Sequence, residues 1–164
     1  MSELLVSKNL EAREIVLERE LRGSVDAVWR SWTTVQALEA WWGPEGWVTT
    51  VRALDVRPGG LWHFGMGVPG AAPDVWIRAV YSEVIHGSVL SYVEGFSDET
   101  GADLDPESHA VTVEFTGVDP ARTRLVLRTR FTSVDRLEQI AAMGMVEGWA
   151  GGFDRLDRFL RSRP

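Results

Sequence analysis

Cysteine is absent from the 164-residue chain, and lysine occurs only once, at Lys8. The first absence removes disulfides, thiolate nucleophiles and cysteine-bound metal together, and it suits a reducing compartment. The second leaves arginine to carry almost all of the positive charge, which by itself points to no function. Basic residues are outnumbered by acidic ones, 17 to 24, and no basic run interrupts the net charge of −7. A field of that sign repels phosphate backbones and anionic membranes, so nucleic acid is not an expected partner. No apolar run approaches the roughly 18 residues of a membrane span. The opening "MSELLVSKNLEARE" has neither the basic segment nor the apolar stretch of a secretion signal. These absences lead to the expectation of a cytoplasmic protein without membrane insertion.

Catalytic and metal-binding patterns are missing too. There is no glycine-rich phosphate loop, no Ser/His/Asp order and no closely spaced acid pair. His63, His86 and His109 are isolated from one another, and His63 alternates outward from Trp62 and Phe64, so all three read as surface or edge histidines. Asp98, Glu99, Asp103, Asp105 and Glu107 crowd one loop without calcium-loop spacing and read as solvated. No metal, cofactor or catalytic residue is expected.

What the chain has instead is aromatic side chains in unusual places. Three of its eight tryptophans, Trp41, Trp42 and Trp47, surround a Gly-Pro turn in "AWWGPEGW". Such a turn is either a plug folded onto a core or the lining of a space that a ligand enters. A chain of 164 residues that is 45% apolar has the interior for one sizeable core. Residues 1–12 read as a flexible lead-in and residues 13–164 as a single domain.

Along that domain, "EIVLEREL" alternates, with Ile15, Leu17, Arg19 and Leu21 on one side, the period of a half-buried strand. Ser24 is placed to cap a helix through "VDAVWRSW", and "VQALEAW" forms a second short one. Strand-like segments follow over residues 47–57, 61–67, 75–85 and 88–96, punctuated by Pro-Gly and Gly turns. Beyond the acidic loop, Val111, Val113 and Phe115 alternate with Thr112 and Glu114, and Leu125, Leu127 and Phe131 alternate with Arg124, Arg128 and Arg130. From Ser133 to Pro164 an amphipathic pattern predicts one long C-terminal helix. Gly144, Gly148 and Gly152 recur every four residues on its apolar stripe, although each costs about 1 kcal/mol of helix propensity. Either another backbone approaches closely there or room is left for a guest. The fold class is therefore α+β: an antiparallel sheet of about six to seven strands wrapped around a long C-terminal helix, with two short helices between the first two strands.

The order of these motifs resembles the activator of heat-shock-protein-90 ATPase family, within the START-like, birch-pollen-allergen-like superfamily known as SRPBCC. The resemblance runs through Arg19 with Leu21, Val28-Trp29, Trp41-Trp42-Gly43-Pro44, "DVRPGGLWHF" from Asp55, Tyr81-Ser82-Glu83-Val84, "VTVEF" from Val111, and Gly148-Trp149 with Leu156 and Leu160. It implies the helix-grip fold and a deep apolar cavity for lipids, polyketides, hormones or similar molecules, with catalysis only in some branches. Ser24 stands where relatives commonly have proline, and the loop over residues 97–108 is longer than usual. The eukaryotic co-chaperones of the family carry a separate N-terminal domain for which these residues leave no room, so co-chaperone activity is not inherited with the resemblance.

Candidate cavity residues follow from the shared faces. Trp62, Phe64 and Met66 lie together on one strand, and Tyr81, Tyr92, Phe115, Leu127, Met145 and Trp149 point toward the same space. Trp42 or Trp47 is expected as a buried plug, with another ring of the turn at the rim. Arg19, on an apolar strand face, needs a carboxylate such as Glu138 or Glu94, or else anchors the polar end of a ligand. The leading expectation is a non-enzymatic protein binding a small apolar or amphipathic molecule. The alternatives are a chaperone-associated interaction module and a cyclase- or hydrolase-type enzyme needing ionisable groups inside the cavity. A homodimer is compatible with open sheet edges but nothing demands it.

Overall fold

In the computed structural model, which describes residues 3–162, the order is β1 (Leu5–Asn9), β2 (Glu14–Arg22), α1 (Val25–Thr33), α2 (Val35–Trp41), β3 (Val48–Leu54) and β4 (Leu61–Gly67). It continues with β5 (Val75–Ile85), β6 (Val89–Ser97), β7 (His109–Asp119), β8 (Arg122–Arg130), α3 (Val134–Ala142) and α4 (Met145–Arg161). The strands make one antiparallel sheet in the order β1-β2-β8-β7-β6-β5-β4-β3, folded around α4. This is the α+β helix-grip architecture, with eight strands among the described residues rather than six to seven. The added strand is β1, inside the segment expected to be a flexible lead-in. All five of its residues are exposed, and it is held by backbone pairing to β2, from Leu5 opposite Glu18 to Asn9 opposite Glu14.

Strand β2 buries Ile15, Leu17, Arg19 and Leu21 and turns Val16, Glu18 and Glu20 outward, as its alternation requires. Helix α1 starts where Ser24 Oγ accepts the Ala27 N–H, at 3.1 Å, and it buries Val28, Trp29 and Trp32. The arginines of β8 lie on the outer face, where Arg124, Arg128 and Arg130 meet Glu18, Glu114 and Glu14. Such exposed pairs contribute little to stability.

The expected single C-terminal helix is two helices. Gly144 has φ +92°, in the left-handed region that glycine enters without steric cost, and the chain changes direction there between α3 and α4. Residues 163 and 164, to which the sequence pattern was extended, lie outside the described residues. Two further expectations are corrected in the acidic loop and its surroundings. Asp105 is buried and paired with Arg136 of α3 at 2.9 Å, where it also accepts the backbone N–H of Phe96 and Glu107. His63 is buried rather than exposed, its Nε2 3.1 Å from the Asp98 carbonyl and its ring against Trp76.

Candidate functional site

Between the first turns of α4 and the inner face of the sheet lies an apolar groove of about 270 Å³. That is near the lower end of the roughly 300–1,000 Å³ common for small-molecule sites. Its sheet wall is Phe64, Met66, Ile77 and Phe96, and its helix wall is Ile140, Met145 and Trp149 with the bare backbone of Gly148. The tryptophan turn closes one side through Trp42, Gly43 and Pro44.

The three glycines of the helical stripe serve different ends. Gly144 makes the turn between helices. Gly152 packs near the Gly43 carbonyl, where an added Cβ would sit 3.8 Å from the oxygen. At Gly148 an added Cβ would meet nothing within 4 Å, and this is the position that borders the groove.

The turn itself is held from α4. The Arg155 guanidinium donates to the carbonyls of Trp42 (3.3 Å), Gly43 (3.0 Å) and Pro44 (2.9 Å), and Arg158 pairs with Glu45. Burial lowers the Arg155 pKa below its ordinary value, with the Glu45 carboxylate opposing the shift; its hydrogen-bond partners among the described residues are neutral carbonyls. Trp42 is consequently a hub. Its ring contacts Trp32, Trp41, Trp62, Phe64 and Trp149 at centroid distances of 4.7–5.7 Å, mostly edge to face. Trp41 is fully buried and donates through Nε1 to the Ser31 carbonyl at 2.8 Å, whereas Trp47 is half-buried and does not line the groove.

Of the residues expected around a cavity, Trp42, Phe64, Met66, Met145 and Trp149 line the groove. Trp62, Tyr81 and Tyr92 form a layer behind it, with Trp62 against both Trp42 and Phe64 at 4.7 Å. Phe115 and Leu127 are buried in the core away from it. Arg19 is also set apart: its Nη1 is 2.7 Å from Asp154 Oδ1 on α4, a partner the sequence did not suggest. Glu138 pairs instead with Lys8, and Glu94 with His109.

That last pair is the polar exception in the groove, and sequence reasoning missed it. His109 Nε2 lies 3.0 Å from Glu94 Oε1, and both side chains are largely buried, at 15% and 16% exposure. Strand register explains the meeting. Trp62 opposes Ala79, Ala79 opposes Glu94, and Glu94 opposes His109, so all four share the inner face in one row across β4 to β7. The alternation of Tyr92, Glu94 and Phe96 carried the signal. His109 is therefore a groove residue and not the surface histidine expected, while His86 packs against Trp29.

In the layer behind, Trp62 Nε1, Tyr81 Oη and Tyr92 Oη are buried and have no hydrogen-bond partner among the described residues, and neither does His109 Nδ1. Burial raises the pKa of both tyrosines, and the Glu94 carboxylate and then Tyr81 push Tyr92 further in the same direction. Both phenols are thus held neutral as hydrogen-bond donors.

A larger cleft of about 760 Å³ opens between α1, α2 and the end of α4, bordered by Arg22, Arg30 and Arg161. Its polar, cationic border suits an apolar guest less than the groove does. Among the described residues no group of three or more histidines, aspartates and glutamates is placed to hold a metal ion, and no helix is long and apolar enough to cross a membrane.

The sequence model of the family described as Activator of Hsp90 ATPase homolog 1-like protein matches residues 22–161. The chain belongs to this family. Among solved structures, a protein from Arthrobacter aurescens is 28% identical with a TM-score of 0.87, covering 98% of this chain and 92% of its own. One from Mycobacterium smegmatis is 24% identical with a TM-score of 0.86, covering 96% and 97%. One from Rhodobacter sphaeroides is 18% identical with a TM-score of 0.84, covering 99% and 100%; the latter two likenesses speak for the fold alone. No curated protein matches the sequence.

Proposed function

We propose that this member of the Activator of Hsp90 ATPase homolog 1-like family binds a small apolar or amphipathic molecule in the groove between the sheet and α4. The observation that carries the reading is the wall at Gly148. A helix interior there forgoes about 1 kcal/mol of propensity and leaves open space against aromatic and aliphatic side chains. A sensor or carrier role follows from binding without turnover, and a cytoplasmic setting fits the cysteine-free composition.

Native mass spectrometry of the purified protein beside its denatured mass is the direct test, with titration of naphthalene as an apolar probe. A stoichiometric extra mass, or saturable naphthalene binding that is lost when Gly148→Leu fills the groove, supports the reading. A protein that carries nothing and ignores naphthalene would refute it.

The Glu94–His109 pair favours a second reading, in which the groove transfers a proton to or from its guest, since a carboxylate-paired imidazole in an apolar site is suited to acid–base work. Its test is whether a recovered ligand is converted by the wild-type protein and left unchanged by His109→Gln.

A further inference from the structure

The groove has a polar end of mixed character, and that mixture is informative about what it holds. Three buried side chains that carry donors pack ring against ring behind the aromatic wall. Trp62 stacks on Tyr81 with ring centroids 6.3 Å apart, Tyr92 packs edge-on to Trp62 at 5.5 Å and to Tyr81 at 6.0 Å, and each side chain is 1% exposed. The polar atom of each lacks a partner among the described residues. A buried polar group left in that condition is costly, by about 1–3 kcal/mol. Three such side chains in ring contact mark a region where an external acceptor would be welcomed.

Beside them stands an acceptor. Glu94 is two residues along β6 from Tyr92 on the same inner face, close enough that its charge raises the Tyr92 pKa, and it borders the groove. His109 engages only one of its carboxylate oxygens, Oε1.

The geometry points to a ligand that carries a neutral hydroxyl, an alcohol or a phenol, on an apolar body. The hydroxyl would donate to the free oxygen of Glu94 and accept from Tyr92 at the edge of the Trp62–Tyr81–Tyr92 layer. This inference rests on the groove being the binding site and adds the class of guest. A hydroxyl both donates and accepts, as the two sides of this site require. An anionic head group meets the Glu94 carboxylate in a low-dielectric setting and is repelled. A purely apolar molecule fills the groove and leaves the donors as they are. The Trp42 and Phe64 rings stand between the open groove and Trp62, so entry of the hydroxyl is coupled to a small rearrangement of these two side chains.

The test is calorimetric titration of the full chain at neutral pH with three probes of one shape: naphthalene, 2-naphthol and 2-naphthoate. The expected order has 2-naphthol about tenfold tighter than naphthalene, the worth of about one buried hydrogen bond, with 2-naphthoate weakest. Tyr92→Phe keeps the ring and removes only the hydroxyl. It should bring 2-naphthol toward the naphthalene affinity and leave naphthalene unchanged. Glu94→Gln keeps an acceptor and removes the charge, so it should retain the preference for 2-naphthol and lessen the penalty on 2-naphthoate. Melting curves of both variants confirm folding.

Equal binding of naphthalene and 2-naphthol would overturn the hydroxyl assignment while leaving the groove intact as a site. So would a preference for 2-naphthoate, or a Tyr92→Phe protein that binds 2-naphthol as the wild type does. Failure of all three probes to bind would overturn the groove reading and this inference with it.

Discussion

Gly148→Ala separates the demands of folding from those of binding at a single atom. In the helix interior alanine is favoured over glycine by about 0.8–1 kcal/mol. No neighbouring part of the described structure opposes that gain, because beyond its own stretch of helix an added Cβ meets no heavy atom within 4 Å. The variant should therefore be more stable by about 1 kcal/mol, which for a chain of this size is a rise of about 2–4 °C in melting temperature. The same methyl projects from the groove wall, so a guest that fills the groove must shift or lose contact. Overpacking of this kind costs about 1–3 kcal/mol. At 1–2 kcal/mol that is a loss of about 5–30-fold in naphthalene affinity. Differential scanning calorimetry and titration on the same preparation measure both effects. Gly144→Ala is the internal contrast: at φ +92° alanine is strained by about 1–2 kcal/mol, so this variant should melt lower. A Gly148→Ala protein that melts lower would refute the description of the helix wall. One that melts higher and binds as tightly as before would refute the idea that the glycine is there to leave room.

Arg155→Ala removes four hydrogen bonds to carbonyls, three in the tryptophan turn and one at Ala40 just before it; with water able to reach part of the vacated site, urea unfolding should show a loss of about 2 kcal/mol. Asp105→Ala leaves the Arg136 guanidinium buried at 10% exposure without its carboxylate, so it should cost about 3–5 kcal/mol, and the double change Asp105→Leu with Arg136→Met should recover most of that by the same measurement. Tyr81 and Tyr92 are the only two tyrosines, and burial raises both pKa values. The folded state then keeps protons that the unfolded state has released. Stability should fall as pH rises above the unfolded tyrosine pKa of about 10, and tyrosinate absorbance should appear only together with unfolding.

The parts of the molecule legible in sequence are those whose signal is local and periodic. Ile15, Leu17, Arg19 and Leu21 declared the buried face of β2, and Ser24 declared the start of α1. The motif order from Arg19 to Trp149 pointed to the family and its fold. What escaped was non-local or carried no hydrophobic pattern. Strand β1 is exposed at every residue, so no alternation reveals it; it joins β2 through the backbone ladder, with Lys8 reaching Glu138 of α3. Asp105 reads as one acid among several, and only its partner 31 positions away, Arg136, makes it a buried anchor. Glu94 and His109 are separated by a long acidic loop and meet because β6 and β7 are adjacent. The helix break is a different case. Gly144 was visible as a glycine near the middle of a long amphipathic pattern, the position of a C-terminal cap, but the apolar period continued across it and concealed the turn.

The question raised by "AWWGPEGW" has an answer in which core and site are the same atoms. Trp42 is 5% exposed and touches five other rings, which makes it core, yet it also borders the groove. A guest that displaces its ring alters the packing of Trp62 and Trp149 as well, so binding and folding draw on one set of contacts. Large truncations here cannot then distinguish the two roles: Trp42→Ala would cost about 3–5 kcal/mol of stability whether or not a ligand exists. A guest that binds only the folded protein raises its apparent stability with concentration, by mass action, regardless of which ring it touches. The informative changes are therefore the ones that spare the ring cluster, the methyl added at Gly148 and the hydroxyl removed at Tyr92, since each alters the space or the chemistry offered to a guest while leaving the aromatic packing in place.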